Sequence, residues 1–172
     1  MEISEQNIRL IVENVIKELN VGELLQESDK AEGMGIFSDI NSAIAAARIA
    51  HRELMKLTLE TRKIIVKNMR ETILENNELL SRTAAEETGL GCWRYKLVKH
   101  KLVALKTPGV EDLVPISYTD DHGMTLIERA PYGVVASITP CTNPSSTIVN
   151  NSIGMIAGGN AVVFNPHPTA KQ

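Results

Sequence analysis

The spacing of apolar residues changes along this chain. Residues 1–19 and then 36–105 carry apolar side chains every three or four positions, the spacing of amphipathic helices. After residue 122 the apolar residues gather into short runs that favour strands. The pattern therefore predicts these segments in order: a helix at 1–19, a flexible tether at 20–35, helices within 39–106, a strand near 123–129 and a strand–helix–strand unit at 132–165.

The first predicted helix has a single apolar face and a mixed polar face. Ser4 is suited to cap its amino end, and Glu5 lies favourably in the first turn. A helix of about four turns is marginal in water, so this face needs an apolar surface to cover it. The helix either packs on its own domain or docks into a groove of another protein. A membrane surface is the weaker alternative, because the polar face is not basic.

The middle of the chain is predicted to be helical throughout. Capping residues indicate helix starts at Asp39 or Asn41, at Thr58, and at Asn76 or Asn77. Glycine and proline indicate the helix ends. The third of these helices ends at Gly89, and a fourth runs from Cys92 to Lys106 before Thr107-Pro108-Gly109.

Little chemistry is indicated in these helices. Glu86, Glu87 and His100 have no partner at ligand or catalytic spacing, and Cys92 is interpreted as a packed thiol. The lysines and arginines from 94 to 106 are interpreted as a solvated helix face. None of these residues is therefore predicted to take a direct part in chemistry.

The segment with chemistry is the predicted strand–helix–strand unit. Val134–Thr139 is predicted as a buried parallel strand, and a loop rich in proline and polar residues comes after it. After a helix and the turn at 157–160, a second strand is predicted at 161–164. Open α/β sheets bind nucleotides and reactive carbonyls at the carboxyl ends of such strands. No Gly-x-Gly-x-x-Gly fingerprint occurs, so glycines give no argument for phosphate binding.

Composition narrows the classes of function. The 172 residues are 43% hydrophobic, which allows a real core, and the formal net charge of -3 gives no basic surface for nucleic acid. No apolar run approaches membrane-spanning length, and no secretory signal is indicated at the start. The two cysteines, Cys92 and Cys141, have no spacing for a disulfide framework or a metal site. We therefore expect a soluble protein of a reducing compartment.

Several motifs resemble those of one family. Residues 127–144 resemble the start of the cofactor-binding domain of aldehyde dehydrogenases, and Thr142-Asn143-Pro144 with Pro166-His167-Pro168 resembles its CoA-acylating branch. Residues 87–91 and 107–113 are similar to the same branch, so the resemblance covers most of 36–171. It implies an α/β fold, namely the amino-terminal part of a Rossmann-like cofactor domain. It also implies an NAD-dependent enzyme that converts a short aldehyde and coenzyme A to acyl-CoA through a cysteine thioester.

The resemblance also implies roles for individual residues. Asn143 corresponds to the amide that donates to the oxyanion formed when a thiolate attacks the aldehyde. The alternative is that Asn143 makes an Asx turn or caps the next helix, and both roles are compatible. Cys141 is interpreted as lining the cleft, because the family's nucleophile is expected beyond Gln172.

The nucleotide cleft is predicted from the same two strand ends. Ordinary aldehyde dehydrogenases carry a ribose-binding lysine in place of Asn165, so its absence favours the acylating branch. His167 is suited to stack on or hydrogen-bond to adenine, or it is only an exposed loop residue. The predicted cleft residues are Thr139, Pro140, Thr142, Asn165, Pro166 and His167.

The resemblance implies partners as well. The amphipathic helix and tether resemble the encapsulation peptides of bacterial microcompartment enzymes, so a shell protein is expected to bind residues 3–19. The expected location is cytoplasmic, inside a microcompartment, and residues 123–129 resemble part of the family's oligomerisation sheet. The alternative is a non-catalytic shell-docking or subunit-binding module, or the relic of a truncated gene. Further strands and a reactive cysteine beyond Gln172 would distinguish the enzyme from this alternative.

Overall fold

The structure is a computed structural model that describes residues 35–171. The predicted helix at 1–19 and the tether, except Gly35, lie outside the described residues. The chain divides into one unit up to Ala46 and a second from Ala47. In the first unit the backbone N–H groups of Asn41 and Ser42 donate to Asp39 Oδ1 over 2.8 and 3.0 Å. Of the two predicted starts, the first helix therefore uses Asp39.

The elements succeed one another with short connections. Helix α1 crosses from the first unit into the second, and all later elements belong to the second unit. The helices are α1 (Ile40–Leu54), α2 (Leu59–Glu75), α3 (Asn77–Thr88), α4 (Trp93–Lys106) and α5 (Pro144–Ala157), with a 3-10 turn at Val110–Asp112. The strands are β1 (Ile116–Asp120), β2 (Gly123–Ile127), β3 (Val134–Thr139) and β4 (Ala161–Pro166).

Local signals set several helix ends. The side chain of Thr58 caps α2 by accepting from the backbone N–H of Thr61 at 3.1 Å. Helix α3 ends at Gly89, whose φ of 66° lies in the left-handed region that glycine tolerates. The predicted cap at Thr58 and end at Gly89 are both observed.

Strands β3 and β4 pair in parallel, with Val134 opposite Ala161 and Thr139 opposite Pro166. Helix α5 connects them, so residues 134–166 form a βαβ unit, in agreement with the predicted α/β class. Strands β1 and β2 form a separate antiparallel hairpin whose strand residues are all exposed. The sequence pattern predicted one strand in this region, near 123–129, but residues 116–120 form a strand as well. Exposure of both faces removes the polar–apolar alternation by which a strand is recognised.

The core of the second unit lies between α2, α4, α5 and the 3-10 turn, around Val66, Val110 and Ile153. Helix α5 covers the face of β3 where Ser137 and Thr139 are buried. On the other face Ile138 is 81% exposed. The apolar run predicted a strand buried on both faces, which is wrong for this second face within the described part of the chain.

Two arginines of α2 hold the carboxyl ends of other helices. Arg62 Nη1 donates to Ala157 O of α5 at 3.1 Å, and Arg70 Nη1 donates to Ala104 O of α4 at 2.6 Å. A cation at this end of a helix also complements its dipole. Gly159 has a φ of +77°, and a Cβ there would lie 2.9 Å from Arg62 Nη1. Only glycine fits the turn between α5 and β4.

Candidate functional site

The candidate site lies at the carboxyl edge of the βαβ unit. Because β3 and β4 are parallel neighbours, both chains leave the sheet at the same edge, where Thr139 lies opposite Pro166. Pro140 and Thr142 come after the first strand, and Asn165 and His167 flank the end of the second. The six predicted cleft residues thus lie on two adjacent segments at the edge where α/β sheets bind nucleotides.

Asn143 occupies the N-cap position of α5, but its side chain does not cap the helix. Its backbone carbonyl accepts from the N–H of Thr147 at 3.1 Å. Its side-chain Oδ1 accepts from Lys99 Nζ instead. Within residues 35–171 its Nδ2 has no hydrogen-bond partner. The prediction that the side chain of Asn143 caps the helix is therefore wrong, and its amide NH2 remains available as a hydrogen-bond donor.

One face of α4 holds this loop. Lys96, Lys99 and His100 have the i, i+3, i+4 spacing that places side chains together on a helix surface. Lys96 Nζ donates to Thr142 O at 3.3 Å, and His100 Nε2 lies 2.7 Å from Ser145 Oγ. The interpretation of the lysines and arginines of 94–106 as a solvated face is therefore wrong for Lys96, which is buried, and His100 beside it is buried as well. The spacing was visible in the sequence, but nothing there showed which segment the face contacts.

His100 is part of a buried chain of hydrogen bonds. Asn77 Nδ2 donates to Leu97 O at 3.0 Å, which leaves Asn77 Oδ1 to accept from Ser81 Oγ at 3.2 Å. Ser81 Oγ then accepts from His100 Nδ1, 2.8 Å away, so Nε2 of the neutral ring accepts from the hydroxyl of Ser145. The start of α5 is thus anchored to α3 and α4.

Burial and charge set the protonation of this face. Burial lowers the pKa of His100 below its ordinary value, and the positive charges of Lys96 and Lys99 lower it further. Burial likewise lowers the pKa of Lys96, with a smaller contribution from Lys99. A neutral His100 agrees with an Nε2 that accepts from Ser145.

Two of the predicted cleft residues differ in the accessibility of their polar groups. Thr139 is 1% exposed, and its Oγ1 has no hydrogen-bond partner in the described part of the chain. A buried hydroxyl without a partner is costly, and this one exposes no surface to which a ligand could bind. His167 Nδ1 accepts from the N–H of Thr169 at 3.3 Å, so a neutral ring carries its proton on the exposed Nε2. His167 is therefore accessible to a ligand, whereas the hydroxyl of Thr139 is covered.

The cysteines differ in their surroundings. Cys141 is partly buried in the loop after β3, whereas Cys92 is exposed, so the interpretation of Cys92 as a packed thiol is wrong. Cys92, Lys99 and Asn143 line an open depression of about 370 Å³. No group of three or more His, Cys, Asp or Glu side chains that could hold a metal occurs within residues 35–171. None of the helices described has the length and apolarity needed to cross a membrane.

A βαβ unit with polar groups gathered at its carboxyl edge defines the class as a Rossmann-like α/β domain. Residues 34–171 match the model of the aldehyde dehydrogenase family, and the chain belongs to that family.

Similar proteins match most or all of the chain. An acetaldehyde dehydrogenase (acetylating) of Bilophila wadsworthia is 39% identical and matches 100% of this chain but 37% of its own length. The propionaldehyde dehydrogenase of the Clostridium phytofermentans fucose utilisation bacterial microcompartment is 50% identical, with a TM-score of 0.76 over 80% of this chain and 32% of its own. Rhodopseudomonas palustris propionaldehyde dehydrogenase with bound propionyl-CoA is 44% identical, with a TM-score of 0.77 over 85% and 33%.

These matches confirm the predicted fold, the amino-terminal part of an aldehyde dehydrogenase cofactor domain. The chain spans little more than a third of the length of the curated relatives it matches.

Proposed function

We propose that this chain is the amino-terminal part of an NAD-dependent, CoA-acylating aldehyde dehydrogenase that acts on a short aldehyde. The names of its relatives support this class, since they include acetylating acetaldehyde dehydrogenases and propionaldehyde dehydrogenases. The proposed nucleophile is a cysteine outside these 172 residues. Its thiolate attacks the aldehyde, and the acyl group then passes from the cysteine to coenzyme A.

The observation that carries the proposal is the amide of Asn143. When a thiolate adds to an aldehyde, the carbonyl oxygen gains a negative charge that needs a fixed donor. An amide NH2 donates without titrating, and Pro140 and Pro144 restrict the loop that holds it. Its Oδ1 is occupied by Lys99, while its Nδ2 has no partner among the described residues. Asn143 is therefore the proposed oxyanion donor.

The proposed cofactor site is the cleft at the same edge. NAD, when bound, supplies the acceptor for the hydride of the aldehyde carbon. The Nε2–H of His167 is the group proposed to bind the nucleotide, and Thr139 is proposed to line the cleft through atoms other than its buried hydroxyl. Pro140, Thr142, Asn165 and Pro166 are proposed to line the cleft.

Replacing Asn143 tests the catalytic proposal. In the complete protein that contains this chain, we expect Asn143→Ala to lower kcat by about 100- to 1000-fold, the usual loss for one oxyanion donor. The rate of NADH formation with propionaldehyde and coenzyme A measures this loss. Asn68→Ala is the matched control, because Asn68 is exposed on α2 and distant in sequence from the loop. Wild-type activity of Asn143→Ala would sink the oxyanion role.

Location and assembly are proposed from the sequence. We propose that residues 3–19 dock to a microcompartment shell protein, that the enzyme works inside that compartment in the cytoplasm, and that the complete protein is a homo-oligomer. The exposed β1–β2 hairpin is the proposed subunit contact.

Fusing the proposed docking helix to another protein tests whether the helix alone binds shells. We expect residues 1–19, fused to a fluorescent protein, to co-purify with shells, because the apolar face supplies the binding energy. Replacing Ile11 and Val15 with Glu should abolish co-purification, whereas Glu13→Gln on the polar face should not. Equal recovery of all three fusions would contradict docking through the apolar face.

The intact mass of the natural protein discriminates the enzyme from its alternative. A mass far above the 18.9 kDa of this chain supports the enzyme. A mass of 18.9 kDa would instead favour the non-catalytic docking or subunit-binding module, or a gene relic.

A further inference from the structure

We infer that Lys99 is a positioning residue that fixes the orientation of the Asn143 amide, so that its NH2 rather than its oxygen faces the reacting carbonyl. This inference rests on the proposed role of Asn143. Lys99 lies on α4, 44 positions before Asn143, and its Nζ donates to Asn143 Oδ1.

An amide of asparagine can present either of two ends to a ligand. Rotation by half a turn about the last side-chain bond exchanges Oδ1 and Nδ2, and the two ends occupy nearly the same space. An oxyanion site tolerates only the NH2, because the carbonyl oxygen would repel the developing negative charge. A catalytic amide therefore needs a neighbour that distinguishes its two ends.

Lys99 makes this distinction by its chemistry. An ammonium group carries only donors, so Lys99 can donate to Oδ1 but can form no hydrogen bond with the NH2 of Nδ2. With Oδ1 held on the side of α4, both hydrogens of Nδ2 point away from Lys99. Within the described part of the chain, Asn143 makes no other side-chain hydrogen bond that would choose between the orientations.

The neighbours of Lys99 on α4 hold the rest of the loop. Lys96 donates to the carbonyl of Thr142, and His100 accepts from the hydroxyl of Ser145. The residues on both sides of Asn143 are thus anchored to the same helix face. The amide rotation is the freedom that remains, and Lys99 removes it.

A double-mutant cycle in the complete protein tests the inference. We expect Lys99→Met to lower the rate of NADH formation in single turnovers by about three- to tenfold, with little change in KM. The reason is that, in part of the population, Oδ1 of Asn143 instead of Nδ2 would face the reacting carbonyl. Lys99→Glu should cost more, since a carboxylate accepts from Nδ2 and selects the wrong orientation. Lys99→Arg, which keeps donors, should recover most of the activity. Lys101→Met is the control, because Lys101 is exposed on the same helix.

The decisive arm is the Asn143→Ala background. If Lys99 acts through the amide, Lys99→Met has no further effect there. An equal loss in both backgrounds would overturn the inference and assign Lys99 a direct electrostatic role instead. A Lys99→Met enzyme no slower than Lys101→Met would also overturn it.

A different result is expected if the proposed oxyanion role of Asn143 is itself wrong. Asn143→Ala would then be fully active, whatever happens at Lys99. Neutron diffraction of the complete protein reads the orientation independently, because it separates the amide nitrogen with its deuterons from the oxygen. Oδ1 facing Lys99 in the wild type and Nδ2 facing Glu in Lys99→Glu is the expected result, and an Nδ2 that faces Lys99 would overturn the inference.

Discussion

His100 shows what residue types alone leave unsaid. In the sequence it is one histidine within a basic helix, without a partner at ligand spacing. In the structure it is 1% exposed and links Ser81 of α3 to Ser145 of α5. Both partners are distant in sequence, so helical spacing predicts the face on which His100 lies but not what covers it. The same limit hid the contact between Lys99 and Asn143.

The buried histidine predicts a pH dependence of stability. As pH falls below about 6.5, His100 of the unfolded chain takes up a proton while the folded ring, with its lowered pKa, stays neutral. The unfolded state then binds more protons, so the free energy of unfolding falls with pH, by at most about 1.4 kcal/mol per unit, until the folded pKa is reached. Above pH of about 6.5 this contribution is fully present.

Urea unfolding of the chain at about pH 7.5 and about pH 5.5 checks this expectation. His100→Gln should be less stable than wild type at the higher pH, because it breaks the hydrogen-bond chain. The difference should shrink at the lower pH, since the variant has no proton to gain there. His122→Gln, at the exposed hairpin turn, should retain the wild-type dependence. A constant difference for His100→Gln would contradict the neutral buried ring.

At the scale of elements, local rules predicted the helix ends and long-range contacts decided the rest. Thr58 and Gly89 were found from residue type because a cap acts within its own helix. The contacts of Arg62 with α5 and of Arg70 with α4 escaped prediction because each joins residues far apart in sequence. Strand β1 was missed for a related reason, since a hairpin exposed on both faces leaves no pattern of burial in its sequence.

Replacing glycine with alanine is expected to change the free energy of unfolding in opposite directions at positions 89 and 154. Gly89→Ala places a Cβ in open space but keeps a φ of 66°, so backbone strain should lower the unfolding free energy by about 1 kcal/mol. Gly154→Ala lies inside α5, also with nothing within 4 Å of its Cβ, and should raise it by about 0.5–1 kcal/mol. Urea unfolding of both variants measures the two signs. Loss of stability in both would mean that an unseen contact, rather than helix propensity, governs Gly154.

At the scale of the whole chain, fold class and site position were predictable because one βαβ unit carries both. The order strand, polar loop, helix, turn, strand fixes where Thr139, Asn143 and His167 lie, whatever surrounds them. Their surroundings were less predictable. A continuous apolar run indicates a strand that is covered on both faces, yet Ile138 is 81% exposed in the described part of the chain. The apolar run therefore predicts a covering layer over Ile138 that residues 35–171 do not form.

That uncovered surface predicts how the isolated chain behaves. Ile138 on β3 and Leu126 on β2 are exposed beside strand edges that have no pairing partner within residues 35–171, a combination that promotes association. We expect the 172-residue chain, expressed alone, to sediment as species larger than 18.9 kDa at micromolar concentration. Ile138→Lys together with Leu126→Lys should shift it toward the monomer, because a charge on each strand opposes edge pairing and apolar contact. Asn68→Lys adds the same charge on the exposed side of α2 and should leave association unchanged. If the two apolar substitutions do not reduce association beyond this control, these strands are not the surfaces that the chain leaves uncovered.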